Sequence, residues 1–168
     1  MKFSLSAFFF TIVGATLALA APATNLTSTI DKEFSITAIH SGQESVHLHS
    51  LYVDQSGHVL IVGETKVPGL DIHHGFRLKD GQLSHGNNPA HLDKDGALTF
   101  ESTQSAPLEG FKAKPVIGTG VESYNIYLKD YDYPVACPVP NTTQVYQIYY
   151  GKGNGNDCIW FVPWATLP

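Results

Sequence analysis

The chain contains only two cysteines, and the stretch that joins them constrains its fold more than any other feature. Val135-Ala136-Cys137-Pro138 at one end and Asp157-Cys158-Ile159-Trp160-Phe161-Val162 at the other both read as buried strand. Between them lie a sequon, Asn141-Thr142-Thr143, an apolar strand over 145–150 and a glycine-rich turn over 151–156. A bridge between Cys137 and Cys158 would pin a hairpin that ends the domain. Closing a loop of this size stabilises by roughly 3 kcal/mol in the chain-entropy model. Nothing in the stretch has a catalytic pattern, so it reads as framework.

The opening residues say where such a framework is used. Met1-Lys2 is a short positive start, residues 5–17 are almost wholly apolar, and Ala18-Leu19-Ala20 supplies the small residues a signal peptidase needs. Residues 1–20 are therefore expected to be a cleaved signal peptide. The apolar run is shorter than the ~20 residues that span a bilayer. Outside the cell two cysteines pair, and the sequons Asn25-Leu26-Thr27 and Asn141-Thr142-Thr143 become acceptors for glycan. The expected organisation is a flexible polar segment over 21–33 and one domain over 34–168. A domain of that size buries one core without many disulfides.

Net charge is −5, with ten Lys and Arg against fifteen Asp and Glu and no basic run. That argues against nucleic acid or an anionic membrane as partner, since both select clustered positive charge. The charged fraction is only 15%; Tyr, Phe, Thr, Ser and Gly take its place, the composition of half-buried strands and tight turns. Phe34-Ser35-Ile36-Thr37-Ala38-Ile39 alternates apolar and polar as a one-sided strand does, and 46–53 and 58–62 repeat the pattern around Asp54-Gln55-Ser56-Gly57. Further hairpins are expected at Asp80-Gly81 and Asp95-Gly96, where glycine accepts positive φ. Residues 102–120 read as a long connection with a short strand near Phe111, after which 124–128 resumes strand character. Short hairpin-linked strands of this kind give an all-β domain. The expectation is a trefoil-like or closed barrel with the Phe34 strand near the Cys158 strand, and a β-sandwich is the alternative.

Candidate chemistry is sparse. His47 and His49, two apart, would share one face of a strand and could hold zinc or copper if His40, His58, His73, His74, His85 or His91 converged on them. The sequence has no established zinc spacing, so the plainer reading is surface and turn histidines and no metal. Asp93-Lys94-Asp95-Gly96 begins like a calcium loop, but Ser102 stands where a bidentate Glu belongs, and a hairpin turn fits better. Glu64, Asp71, Glu101, Glu109 and Glu122 stand in no distinctive motif for paired-carboxylate hydrolysis. No Gly-x-Ser-x-Gly elbow occurs. Aromatic residues crowd the last third, where some could stack on sugar rings. The plainer reading is that these rings alternate into the core; Trp164 and Tyr133, each beside a proline, are the candidates for such a platform because they are less expected than Trp160 to point inward.

Taken together, Phe34-Ser35-Ile36-Thr37-Ala38-Ile39-His40-Ser41-Gly42, Phe76-Arg77-Leu78-Lys79-Asp80-Gly81-Gln82-Leu83, Asp95-Gly96-Ala97-Leu98-Thr99-Phe100, Ala136-Cys137-Pro138, Tyr146-Gln147-Ile148-Tyr149 and Asn156-Asp157-Cys158 resemble the successive blocks of the fungal PhiA-type cell wall proteins. These are small secreted proteins of ascomycete hyphae and spores. The resemblance implies a wall location and a link to the development of spore-forming cells; it brings no catalytic residue and no cofactor. The chain departs from the pattern in carrying a single cysteine pair.

Two functional readings follow. The first is a secreted, monomeric, non-catalytic wall protein that binds wall polysaccharide. The second is a secreted effector or hydrolase acting on wall polysaccharide or an external partner.

Overall fold

In a computed structural model, the structure describes residues 25–63, 75–102, 106–131, 133–151, 153 and 155–168. The proposed signal peptide, His73, His74, Glu64 and Asp71 lie outside the described residues. The described chain is all-β without a helix. Its strands are β1 (Ile30–Ile39), β2 (Leu51–Val53), β3 (Val59–Val62), β4 (Phe76–Lys79), β5 (Gln82–His85), β6 (Asn88–Leu92), β7 (Leu98–Phe100), β8 (Phe111–Pro115), β9 (Ser123–Leu128), β10 (Val135–Pro138), β11 (Val145–Tyr149), β12 (Ile159–Trp160) and β13 (Val162–Thr166).

They form two antiparallel sheets, one in the order β7-β6-β5-β4-β1-β13-β9-β8 and the other β12-β10-β11-β3-β2. One buried cluster draws on both: Phe34, Phe76, Phe100 and Phe111 from the larger sheet, Val59, Ile61 and Ile148 from the smaller, and Phe161 where the chain crosses between them. The architecture is therefore sandwich-like, and the closed or trefoil-like barrel is corrected. Isolated bridges join the sheets at Thr37–Ser50, His58–Thr99 and Ala97–Tyr149. They do not extend into a closing ladder, because β2 and β7 have three residues each and β12 has two.

The alternation in β1 does what it predicts, with Phe34, Ile36 and Ala38 buried and Ser35, Thr37 and Ile39 half-buried on the other face. β1 pairs with β13 from Ser35–Thr166 to Ile39–Val162, so the Phe34 strand lies beside the second strand after Cys158, while the first, β12, pairs with β10 in the other sheet. The domain, however, starts before Phe34. Buried Ile30 pairs with Leu78, and a register shift accommodates Asp31-Lys32-Glu33 before Phe34 meets Phe76. That charged tripeptide breaks the alternation and hides the strand's first turn of sequence. Thr27 also exchanges two backbone hydrogen bonds with Ala113, 2.9 and 2.8 Å, which ties residues before β1 onto the free edge of β8. Covering an edge in this way blocks strand addition by another chain.

Two hairpin turns use the same device, one in each sheet. Between β2 and β3, one Asp54 carboxylate oxygen accepts the N–H groups of Ser56 and His58. Between β6 and β7, one Asp93 oxygen accepts those of Asp95 and Ala97. In each, the glycine at the fourth position, Gly57 or Gly96, has positive φ and donates its N–H to the aspartate carbonyl. The calcium-loop resemblance of residues 93–96 is thus an Asp-anchored turn. The two-residue turn Asp80-Gly81 has positive φ at both positions, the conformation that matches strand twist in tight hairpins.

Candidate functional site

Cys137 and Cys158 are joined by a disulfide. Cys137 is buried on β10 with Ala97 and Tyr149, and Val135 and Cys158 pack against this small second cluster. The bridge ties β10 to the loop leading into β12, whose register sets Val135 opposite Trp160 and Ala136 opposite Ile159. This alignment brings the Trp160 ring beside the segment entering β10. Tyr133 lies on that segment, and the following Pro134 restricts it to extended backbone.

The result is a contiguous set of rings drawn from four separate parts of the chain. Trp160 and Tyr133 have centroids 5.7 Å apart at 34°. Tyr133 meets Tyr127 of β9 at 6.3 Å and 47°. On the other side of Trp160, His40, which follows β1, lies at 4.2 Å and 48°. Its Nδ1 hydrogen-bonds the Trp160 carbonyl oxygen, and its backbone N–H donates to Nδ1 of His47 at 3.1 Å. Trp160 is 51% exposed and Tyr133 40%, unusually open for residues of this size. The row sits on the seam where the chain leaves β12 of the smaller sheet, buries Phe161 and enters β13 of the larger one.

Of the two candidates for the platform, Tyr133 is in the row and Trp164 is not. Trp164 is half-buried on β13, its indole N–H buried without a hydrogen-bond partner among the described residues. Trp160, expected nearer the core, is the open ring. The phase of the last strand was the signal that could have found this. Phe161, Pro163 and Ala165 are buried, so Trp160 faces the other way; Trp164 shares that phase but stands on a strand paired on both sides, with Thr37 of β1 and Asn125 of β9.

The histidine pair is also corrected. Residues 44–48 form a turn in which Val46 and His47 both donate backbone N–H groups to the Gln43 carbonyl, and Leu48 has a φ of 64°. His47 and His49 therefore lack the shared strand face that would aim them at one ion. No group of three metal-ligating side chains is formed among the described residues.

The acids are likewise dispersed. Glu109 accepts from Gln82 and Glu122 from the Tyr124 hydroxyl. Glu101 lines an open cavity of about 660 Å³ together with Asp54, His85 and Asn88. The Asp54 carboxylate there is already committed to its turn and lies 3.7 Å from His58. Asn141 is exposed in a turn with a φ of 61°, as is the rest of its sequon. Asn25 is exposed two residues before the Thr27 bridge.

No protein-family model matches the chain, and no solved structure does. The chain is similar to two proteins of Schizosaccharomyces pombe. It is 36% identical to uncharacterized but2-like protein C27D7.11c over 138 residues, 82% of this chain and 28% of that protein. It is 36% identical to uncharacterized but2-like protein C27D7.09c over 126 residues, 75% of this chain and 31% of that protein. The chain thus spans less than a third of the length of these relatives.

Proposed function

We propose that this is a secreted, non-catalytic protein of the fungal cell wall, of the PhiA type, that binds wall polysaccharide through the row Tyr127, Tyr133, Trp160 and His40. The observation that carries the reading is the open stacking of Trp160 and Tyr133 at a seam of the fold. Sugars offer CH faces and hydroxyls without charge, and exposed aromatic faces pair with the former through apolar contact. A disulfide suits an oxidising location, and the two relatives are fungal proteins. A hydrolytic alternative would need a second free carboxylate facing Glu101; among the described residues lining that cavity the other acid is Asp54, which serves a turn.

The test is pull-down of the purified protein, lacking residues 1–20, on insoluble β-glucan, chitin and cellulose. Retention on at least one polymer is expected, reduced several-fold by Trp160→Ala and by Tyr133→Ala and left intact by chelators. Retention that both variants preserve, or that EDTA abolishes, overturns the reading. Mass spectrometry before and after deglycosylation is expected to find glycan on Asn141.

A further inference from the structure

We infer that the aromatic row receives a single, uncharged polysaccharide chain and not the flat face of a crystalline polymer. The inference rests on the polysaccharide-binding reading and adds the physical form of the ligand. A planar face can rest on several rings only when they share a plane. In this row neighbouring rings are tilted by 47°, 34° and 48° in turn from Tyr127 to His40. A flat surface laid on Trp160 would meet its neighbours obliquely, at 34° and 48°, and could not lie on their faces as well. A lone chain, whose sugar units rotate about their glycosidic bonds, can turn one CH face after another to successive rings. The Tyr127–Tyr133 and Tyr133–Trp160 spacings, 6.3 and 5.7 Å, are close to the length of one pyranose unit.

His40 gives the row a polar end. The Trp160 carbonyl can only accept, so Nδ1 of His40 is the donor in their hydrogen bond. With Nδ1 as the donor, the uncharged form of the ring has its lone pair on Nε2, an acceptor for a sugar hydroxyl. The four side chains of the row carry no Lys or Arg charge, exposed Lys112 opposite Tyr127 is a single cation, and the chain's net charge is −5, so no cluster of positive charge selects an anionic polymer there.

Two measurements test this. Tryptophan emission of the protein is followed during titration with soluble β-1,3-gluco-, chito- and cello-oligosaccharides. Retention is compared on crystalline and acid-swollen forms of the same chitin and cellulose. A saturable emission change with at least one oligosaccharide is expected, absent in Trp160→Ala, with several-fold more protein held by swollen than by crystalline polymer. Equal or greater retention on the crystalline form overturns the single-chain inference and leaves polysaccharide binding standing. No retention and no emission change overturns both; a change that persists in Trp160→Ala overturns the row as the place where the sugar binds.

His40→Phe keeps a ring against Trp160 and removes the acceptor. Its affinity is expected to fall several-fold while the emission maximum of the free protein, to which Trp160 and Trp164 both contribute, stays the same. Unchanged affinity overturns the role given to His40.

Discussion

The two sheets solve the problem of their aromatic residues in opposite ways. In the larger one, Phe76 lies at the centre of an inward cluster, with Phe34 at 6.3 Å, Phe100 at 5.7 Å and His85 at 5.0 Å, and these phenylalanines are almost wholly buried. At the end of the smaller sheet, a disulfide packed with Ala97, Val135 and Tyr149 holds the backbone, and the rings of Trp160 and Tyr133 remain outside. A covalent link does there what ring packing does elsewhere. The rings it releases from the core are then free for another use.

The largest effect that would break this comparison is loss of the inward cluster. Phe76→Ala removes a buried ring at a site with three ring neighbours, and such truncations cost about 3–5 kcal/mol. Denaturant unfolding is expected to show a loss in that range; less than 1 kcal/mol would mean that the larger sheet is not held by this packing. Replacing both Cys137 and Cys158 by Ala opens a loop whose ends are 21 residues apart. In the chain-entropy model that lowers stability by about 3 kcal/mol. An unchanged melting temperature would contradict it, as would two free thiols titrated in the denatured, unreduced wild-type protein.

Gly153 sharpens the comparison at the covalent end. A Cβ placed on it would lie 2.5 Å from Sγ of Cys137 and 2.9 Å from Sγ of Cys158, and its φ is +67°. The glycine loop therefore lies directly against the bridge. Gly153→Ala is expected to lower stability by about 1–3 kcal/mol through overpacking and a disfavoured backbone. The same substitution in the cysteine-free variant should cost measurably less. Equal losses in the two backgrounds would show that the loop is not packed on the disulfide.

The twin turns provide an internal control, because one lies in each sheet. Asp54→Ala and Asp93→Ala each remove an acceptor of two backbone N–H groups, a change of about 1 kcal/mol where water can reach the donors. Asp54 is half-buried and beside His58, so its loss is expected to be the larger of the two in equilibrium unfolding. A larger loss at exposed Asp93 would mean that the surroundings of these turns matter more than their hydrogen bonds.

These turns were legible in the sequence because an aspartate and a glycine at fixed spacing encode local backbone chemistry. The disulfide was legible for a different reason, the presence of two cysteines and no more in a chain with a secretory-type start. Residues 46–53 alternate like a strand, yet only Leu51–Val53 is one: Val46 is buried from within a turn and Leu48 takes a left-handed conformation, so period alone misleads where a turn has the same spacing. The choice between barrel and sandwich depended on whether three- and two-residue strands could close a ladder, which no local pattern states. The aromatic row was half legible. Tyr133 is marked by its proline, but His40, Tyr127 and Trp160 meet only through the β1–β13, β13–β9 and β10–β12 registers.

The smallest expected effect on stability is the most informative about use. Trp160 is half exposed, its strand has two residues, and its ring touches Tyr133 and His40 without entering the buried clusters. Trp160→Ala loses these edge contacts, and aromatic pairs contribute about 0.5–1.5 kcal/mol beyond buried area, with the lower end suited to solvent-exposed rings. Its melting temperature is therefore expected to stay within a few degrees of wild type while polysaccharide retention falls several-fold. Trp164→Ala should behave in the reverse sense, destabilising the β1–β13–β9 pairing around Thr37 and Asn125 while leaving retention per folded molecule unchanged. Should Trp160→Ala unfold the domain as severely as Phe76→Ala, the outer rings would belong to the framework and the contrast between the sheets would fail.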